Sequence, residues 1–275
     1  GNLYSTDGVD YGAYIGNYVE GYYYDINDNQ TVFYIRKPER YNDNIVIDSE
    51  DVISVDDEYV IKYNVDNKVK TIRLENNLKV LYNGVGLSSY THEVFNNING
   101  TVELVDVKDS GYALVKIWDY KNYTTDTIDT KEQKIISKRY SEPLDLGDDM
   151  DFVSIINPDG VETDFQAIKE KQILTVAQND KVVRVYISDN TIEGTIDATD
   201  TDKNEVLISG ISYKVDKNYA DTFFAQFNPG SSVIVYLDAF GKIAYAVVDK
   251  DSGDYIFAYM IKGFNDPDSE QGSLK

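Results

Sequence analysis

Cysteine is absent from this chain. Disulfides, zinc–thiolate sites and cysteine nucleophiles are excluded together. Histidine occurs once, at His92, and one copy cannot build a histidine metal triad. A Ser-His-Asp hydrolase would need His92 as its base. It stands in "SYTHEVF", and no nucleophile elbow is present anywhere in the chain, so His92 is not read as catalytic. No run of about 18 apolar residues exists, so no helix is expected to cross or insert into a membrane. There is no Gly-rich phosphate loop and no dinucleotide fingerprint, and no cofactor is expected. Positive charge is scarce: 26 Lys and Arg face 48 Asp and Glu, for a net charge of −22. Nucleic acid is therefore not an expected partner, because its binding starts with cationic neutralisation of phosphates. Anionic membrane surfaces are disfavoured for the same reason. The acidity is explained by solubility and self-repulsion, with weak divalent-cation uptake as the sharper alternative.

Against these absences stand 275 residues, of which 42% are hydrophobic, enough to build cores in two or three domains. Strand signals dominate. "KTIRLENNLKVLYNGVG" alternates apolar and polar residues and ends on Asn83-Gly84, a tight-turn pair. "DFVSIINPDGVETDF" places Pro158-Asp159-Gly160 between two short runs. "QILTVAQNDKVVRVYIS" reads as strand, turn, strand, and "SSVIVYLDAFGKIAYAVV" does so again around Phe240-Gly241. Short helices are expected only within 89–97, 164–172 and 219–227. The fold class is mostly β: tandem small β-barrel or β-sandwich modules with few short helices.

Internal similarity sets the module pattern. "NINGTVELVD" at 97–106 resembles "TIEGTIDATD" at 191–200, sharing isoleucine, glycine, threonine and aspartate at matching places. The hairpin Val233-x-x-Tyr236, turn, Lys242-Ile243 is echoed by Ile173-x-x-Val176, turn, Lys181-Val182. Gly16-x-x-Val19-x-x-Tyr22 is a looser third echo. The resulting modules are 1–97, 98–190 (with an insertion) and 191–275, the last compact and barrel-like. The chain opens on "GNLYSTDG" without Met. It is read as a fragment or mature form whose first module lacks its own start.

The run Tyr22-Tyr23-Tyr24 raises the question of a ligand platform. Neighbours on a strand face opposite ways, so Tyr22 and Tyr24 share one face and Tyr23 takes the other. If Tyr22 is the counterpart of Tyr236, it is a buried cross-strand packing residue. Tyr23 remains the platform candidate. Trp118 and Tyr120 share a face in "VKIWDYKNY" and are the other aromatic candidates, with core packing the simpler reading. Asp200, Asp202 and Asn204 alternate like the start of an EF-hand. However, Glu205 and Ile211 stand where that loop needs Gly and Glu, so a solvated turn is the simpler reading than calcium. No residue is assigned to catalysis. A glycosidase needs only two carboxylates, and sequence cannot choose a pair among so many.

"EGTIDATDTDKNEVLISGISYKV" followed by "FNPGSSVIVYLDAFGKIAYAVV" resembles a β-rich region of large secreted clostridial and related Gram-positive surface proteins, which often also carry S-layer homology domains. The opening hairpin and "NNLKVLYNGVG" are similar to the region just upstream in such proteins. The wall-binding S-layer homology motif itself is not among these residues. The resemblance implies a non-enzymatic, extracellular spacer or presentation region at a cell surface. Its partners would be other domains of the same protein or cell-wall components. A glycan- or peptide-binding module is the alternative, and a carboxylate glycosidase the third.

Overall fold

The computed structural model describes residues 4–5, 14–26, 29–106, 111–137, 139–147, 150, 152–249, 263–265 and 272–274. Of residues 4–5, 23–26, 29–33, 263–265 and 272–274 it describes the backbone alone. The protein is mostly β. In the opening sheet, β1 (Tyr4–Ser5) pairs in parallel with β3 (Asn29–Arg36), which pairs antiparallel with β2 (Glu20–Ile26).

The first core follows. Its leading strand β4 (Ile45–Asp48) precedes a meander of β5 (Val52–Val55), β6 (Val60–Val65) and β7 (Lys68–Arg73). Then come β8 (Lys79–Tyr82), β9 (Val85–Gly86), a 3₁₀ turn at His92–Phe95, and the hairpin β10 (Gly100–Val105) and β11 (Leu114–Asp119). β10 is antiparallel to β4, and β11 is parallel to β8. The turn joining β8 to β9 holds Asn83 and Gly84 at φ 46° and 88°, the left-handed pair that a two-residue hairpin loop requires. Val102, Leu104, Val115 and Ile117 pack with Ile47, Ile61 and Val80 into one core.

The second core repeats this path. β12 (Lys121–Thr124) leads into a meander of β13 (Thr127–Asp129), β14 (Lys134–Ile136) and β15 (Leu144–Asp145). β16 (Phe152–Ile156), β17 (Glu162–Thr163), a 3₁₀ turn at Phe165–Ala167, and the hairpin β18 (Ile173–Gln178) and β19 (Val182–Ser188) follow. Again the hairpin's first strand is antiparallel to the leading strand, and its second is parallel to β16. In the third, β20 (Thr191–Asp200) runs into β21 (Glu205–Ile208) and β22 (Ile211–Lys214). Helix α1 (Ala220–Gln226) precedes the hairpin β23 (Ser232–Leu237) and β24 (Ile243–Val248). The parallel contact shrinks here to one bridge, Val215 to Ile243. The last pair is β25 (Gly263–Asn265) with β26 (Gly272–Leu274).

Three copies of one topology thus follow each other: leading strand, meander, parallel partner, short helical turn, hairpin. Each expected helical stretch contains such a turn, but two of the three are 3₁₀. No sheet among the described residues closes into a barrel. In the third module the edges meet at the Val215–Ile243 bridge and make no ladder, so the compact unit is an open sheet.

Three expectations are corrected. The cut after residue 97 would sever β10 and β11 from β4 and β8, their sheet partners, and from their own core. The expected cut at 190 falls between β19 and β20. The likeness of 97–106 to 191–200 joins strands in different roles, because β10 is a hairpin strand while β20 is a leading strand. Lastly, the first module's hairpin is β10–β11 and not the opening stretch. Tyr22 is 53% exposed and lies against Tyr34, its cross-strand neighbour, at 5.9 Å. It packs across strands as expected but is not buried, because β2 pairs outside the three cores.

Candidate functional site

Strand ends bring polar side chains together inside the protein. The three cores meet where β10 begins, β12 runs, and the turns after Val215 and Leu237 return. Asn99, Asn122, Thr175, Asp216 and Asp238 are all buried there. Asn122 Nδ2 donates to Asp216 Oδ2 at 3.0 Å and to Asp238 Oδ2 at 3.1 Å. Asn99 Nδ2 donates to the same Asp216 oxygen at 2.6 Å, and Thr175 Oγ1 donates to Asn122 Oδ1 at 2.8 Å. The remaining carboxylate oxygens are turn caps. Asp216 Oδ1 accepts from the Asn218 N–H, and Asp238 Oδ1 accepts from the N–H groups of Phe240 and Lys242. Every module contributes, so this network ties the modules by satisfied buried polar groups, the arrangement that rigidifies a core.

Aromatic and ionic contacts surround the tie. Tyr120, 5% exposed, stacks against Tyr186 and Phe240, one ring from each of the two later modules. Glu50 binds Lys242 at 2.7 Å and Lys214 at 2.6 Å, joining the first module to the third. Burial opposes the charge of Glu50, but the hydrogen bonds of Lys214 and Lys242 outweigh it and hold the carboxyl below its usual range. Asn83 Nδ2 donates to Gln178 O at 2.9 Å, and Asn179 Nδ2 donates to Asn83 O at 2.9 Å, clipping the first module to the second.

Beside the tie lies a cleft of about 610 Å³ lined by Lys121, Arg139, Tyr140, Asn218, Tyr219 and Tyr245, among others. The Arg139 guanidinium donates to Ala244 O at 2.8 Å and to Asn218 O at 3.2 Å, and stacks on the Tyr219 ring at 4.7 Å. It is thereby fixed with its cationic edge at the cleft.

The aromatic candidates separate. Trp118 is half-buried beneath the Arg184 guanidinium at 4.2 Å, a cation–π contact between the first two modules. Tyr120 belongs to the buried junction. Module contacts thus bury the Tyr120 ring and cover one face of Trp118. Tyr23 lies in β2, and its side chain is outside the described residues. Asp200 accepts the Lys203 N–H at 3.2 Å and pairs with its ammonium at 2.9 Å, so the stretch Asp200, Asp202, Asn204 is a lysine-capped turn. No group of three His, Cys, Asp or Glu side chains that could hold a metal occurs among the described residues. His92 opens the 3₁₀ turn before β10. Sequence reasoning missed Asn99, Asn122, Asp216 and Asp238. The two aspartates have one local signal, a place directly after an apolar residue at or just past the end of a strand, Val215-Asp216 and Leu237-Asp238; the two asparagines have none. Comparison with protein-family models, with curated proteins and with solved structures found no match.

The buried pair predicts a pH dependence. Burial raises the Asp216 carboxyl above its ordinary value, partly offset by the Asn99 hydrogen bond and the Arg139 charge. Burial also raises Asp238, with the Asp216 charge adding to it. A carboxyl whose folded value lies above its unfolded value, about 3.9 for aspartate, contributes stability that is complete below that value. The contribution is lost as pH rises through the folded value. Glu50 acts oppositely, losing its contribution as pH falls through its lowered folded value. Urea unfolding at high ionic strength, where repulsion among exposed acids is screened, should therefore show stability falling as pH rises above about 4, the unfolded aspartate value. Asp238→Asn should flatten that slope. Stability rising across the same window would show that the pair is not charged against its surroundings.

Proposed function

We propose that this chain is a non-enzymatic, rigid structural region of a bacterial surface protein. It spaces or presents other domains outside the cell. The observation that carries this reading is the buried tie of Asn99, Asn122, Thr175, Asp216 and Asp238. Beads on flexible linkers keep their polar groups in water. Here polar groups from all three modules are withdrawn from water and matched to one another, which fixes one relative geometry. A region with that property transmits orientation along a chain. The acidity and the resemblance to secreted Gram-positive proteins support an extracellular setting, with partner domains of the same protein or cell-wall components as neighbours.

A second reading is a ligand-binding surface module, favoured by the Arg139 cleft. Arrays of cell-wall glycans and peptides probed with the full chain separate the two. The spacer reading expects no saturable binding. Saturable binding that disappears in Arg139→Ala would make the binding module the correct reading.

A further inference from the structure

A second polar cluster lies on the opposite face of the first sheet, away from its core. Glu103 on β10 stands directly across from Lys116 on β11. Asn44 immediately precedes β4, whose Val46 faces Glu103 from the other side, so Asn44 is its diagonal neighbour. The Lys116 side chain is 2% exposed and that of Glu103 16%. One carboxyl group holds the other two residues. Its Oε2 lies 3.5 Å from Lys116 Nζ, and its Oε1 accepts from Asn44 Nδ2 at 2.7 Å. Asn17, from the opening segment, accepts the other Nδ2 hydrogen at 2.7 Å. Asn44 Oδ1 is buried and no hydrogen-bond donor reaches it.

We propose that Lys116 and Asn44 join in an intramolecular isopeptide bond, with Glu103 as the proton-transfer group. A buried amine, a part-buried primary amide whose carbonyl oxygen is buried, and a carboxyl group bridging them are the components this reaction needs. Burial holds the Lys116 ammonium below the usual lysine range, against the opposing charge of Glu103, which favours the nucleophilic free amine. Lys116 passes one proton to Glu103. The Nζ lone pair then attacks Asn44 Cγ, and the carbonyl π electrons move onto Oδ1. Glu103 gives its proton to Nδ2, which already lies on its Oε1, and takes a proton from Nζ at Oε2. Collapse of the adduct restores the carbonyl, breaks the Cγ–Nδ2 bond and releases ammonia. One C–N bond forms and one breaks. Nothing is oxidised or reduced, and no co-reactant is required. Proximity supplies the rate, since fixed neighbours in a folded chain react as an intramolecular pair. The product removes a costly buried charge and links β4 to β11 across β10.

Intact-mass spectrometry of the full chain tests this after denaturation. The expected mass is below the sequence mass by one ammonia, and proteolysis should give a branched peptide joining Lys116 to Asn44. Lys116→Met, Asn44→Ala and Glu103→Ala should each have full mass. A parent chain at full sequence mass overturns the proposal, with no variant needed. So does an ammonia deficit that maps to a cyclised asparagine or persists in Lys116→Met.

Discussion

Asn122→Ala is expected to lower the stability of the whole chain by about 3–5 kcal/mol, the cost of removing one partner from a buried charged network. Its amide is the donor shared by Asp216 and Asp238, and its carbonyl receives the Thr175 hydroxyl. Alanine leaves two buried carboxylates short of a donor and a hydroxyl without its acceptor. Hydrogen bonds to charged groups contribute about 1.5–3 kcal/mol each, so the loss exceeds that of an ordinary polar truncation. Cooperativity should fall as well, because the tie is the one contact among the described residues in which all three modules share buried polar groups. Urea unfolding followed by two probes is the measurement. In the parent, Trp118 fluorescence and far-UV circular dichroism should report one coincident transition. In Asn122→Ala they should separate. A variant that unfolds at the parent midpoint, in one transition, would mean the network is replaced by water at no cost and does not hold the modules together.

Gly100→Ala is expected to cost about 3 kcal/mol, at the upper end of overpacking penalties. A methyl group at Gly100 would stand 2.0 Å from the Trp118 carbonyl oxygen and 2.7 Å from Tyr120 Cδ2. Backbone cannot rotate aside, so the start of β10 must move away from β11. Asn99 would be carried off Asp216 with it. Gly194 is the instructive comparison, since it occupies the matching place in the recurring Ile-x-Gly-Thr pattern. There an added methyl group meets Ser209 Oγ at 2.4 Å and Ile208 Cγ2 at 2.8 Å. The Ser209 hydroxyl can turn, but Ile208 Cγ2 is a branched methyl fixed in the buried core, so Gly194→Ala should cost about 2 kcal/mol, less than the backbone clash at Gly100. Thermal or urea unfolding of the two variants should rank them in that order. Equal costs would show that the side chains around Gly194 yield no more readily than the backbone at Gly100.

The strands and their turns were legible from residues alone. Alternation with a period of two is written into each strand, and a turn such as Asn83-Gly84 states its own left-handed requirement. The likeness of the two later hairpins was also legible, because β18–β19 and β23–β24 do fill the same place in their modules. The likeness of 97–106 to 191–200 misled, because Ile-x-Gly-Thr describes a strand start without naming its sheet neighbours. Tyr22 misled for a related reason. Tyrosine suits any half-covered strand, and only the sheet around it decides how much of the ring is covered.

The junction lay beyond sequence altogether. Asn99 and Asp216 are 117 positions apart, and Asn122 and Asp238 are 116. An asparagine or aspartate reads as a surface or turn residue, because burying its polar atoms is unfavourable until a partner arrives. That partner comes from another module, so only the packed tertiary structure turns these four residues into a core. Lys116, Glu103 and Asn44 obey the same physics. On paper they are a polar strand face, and the fold makes them one largely covered group by laying β4, β10 and β11 side by side. Composition and local pattern determined what kind of elements this chain forms. Long-range pairing decided which of its polar residues leave water, because that choice depends on neighbours a local stretch does not contain.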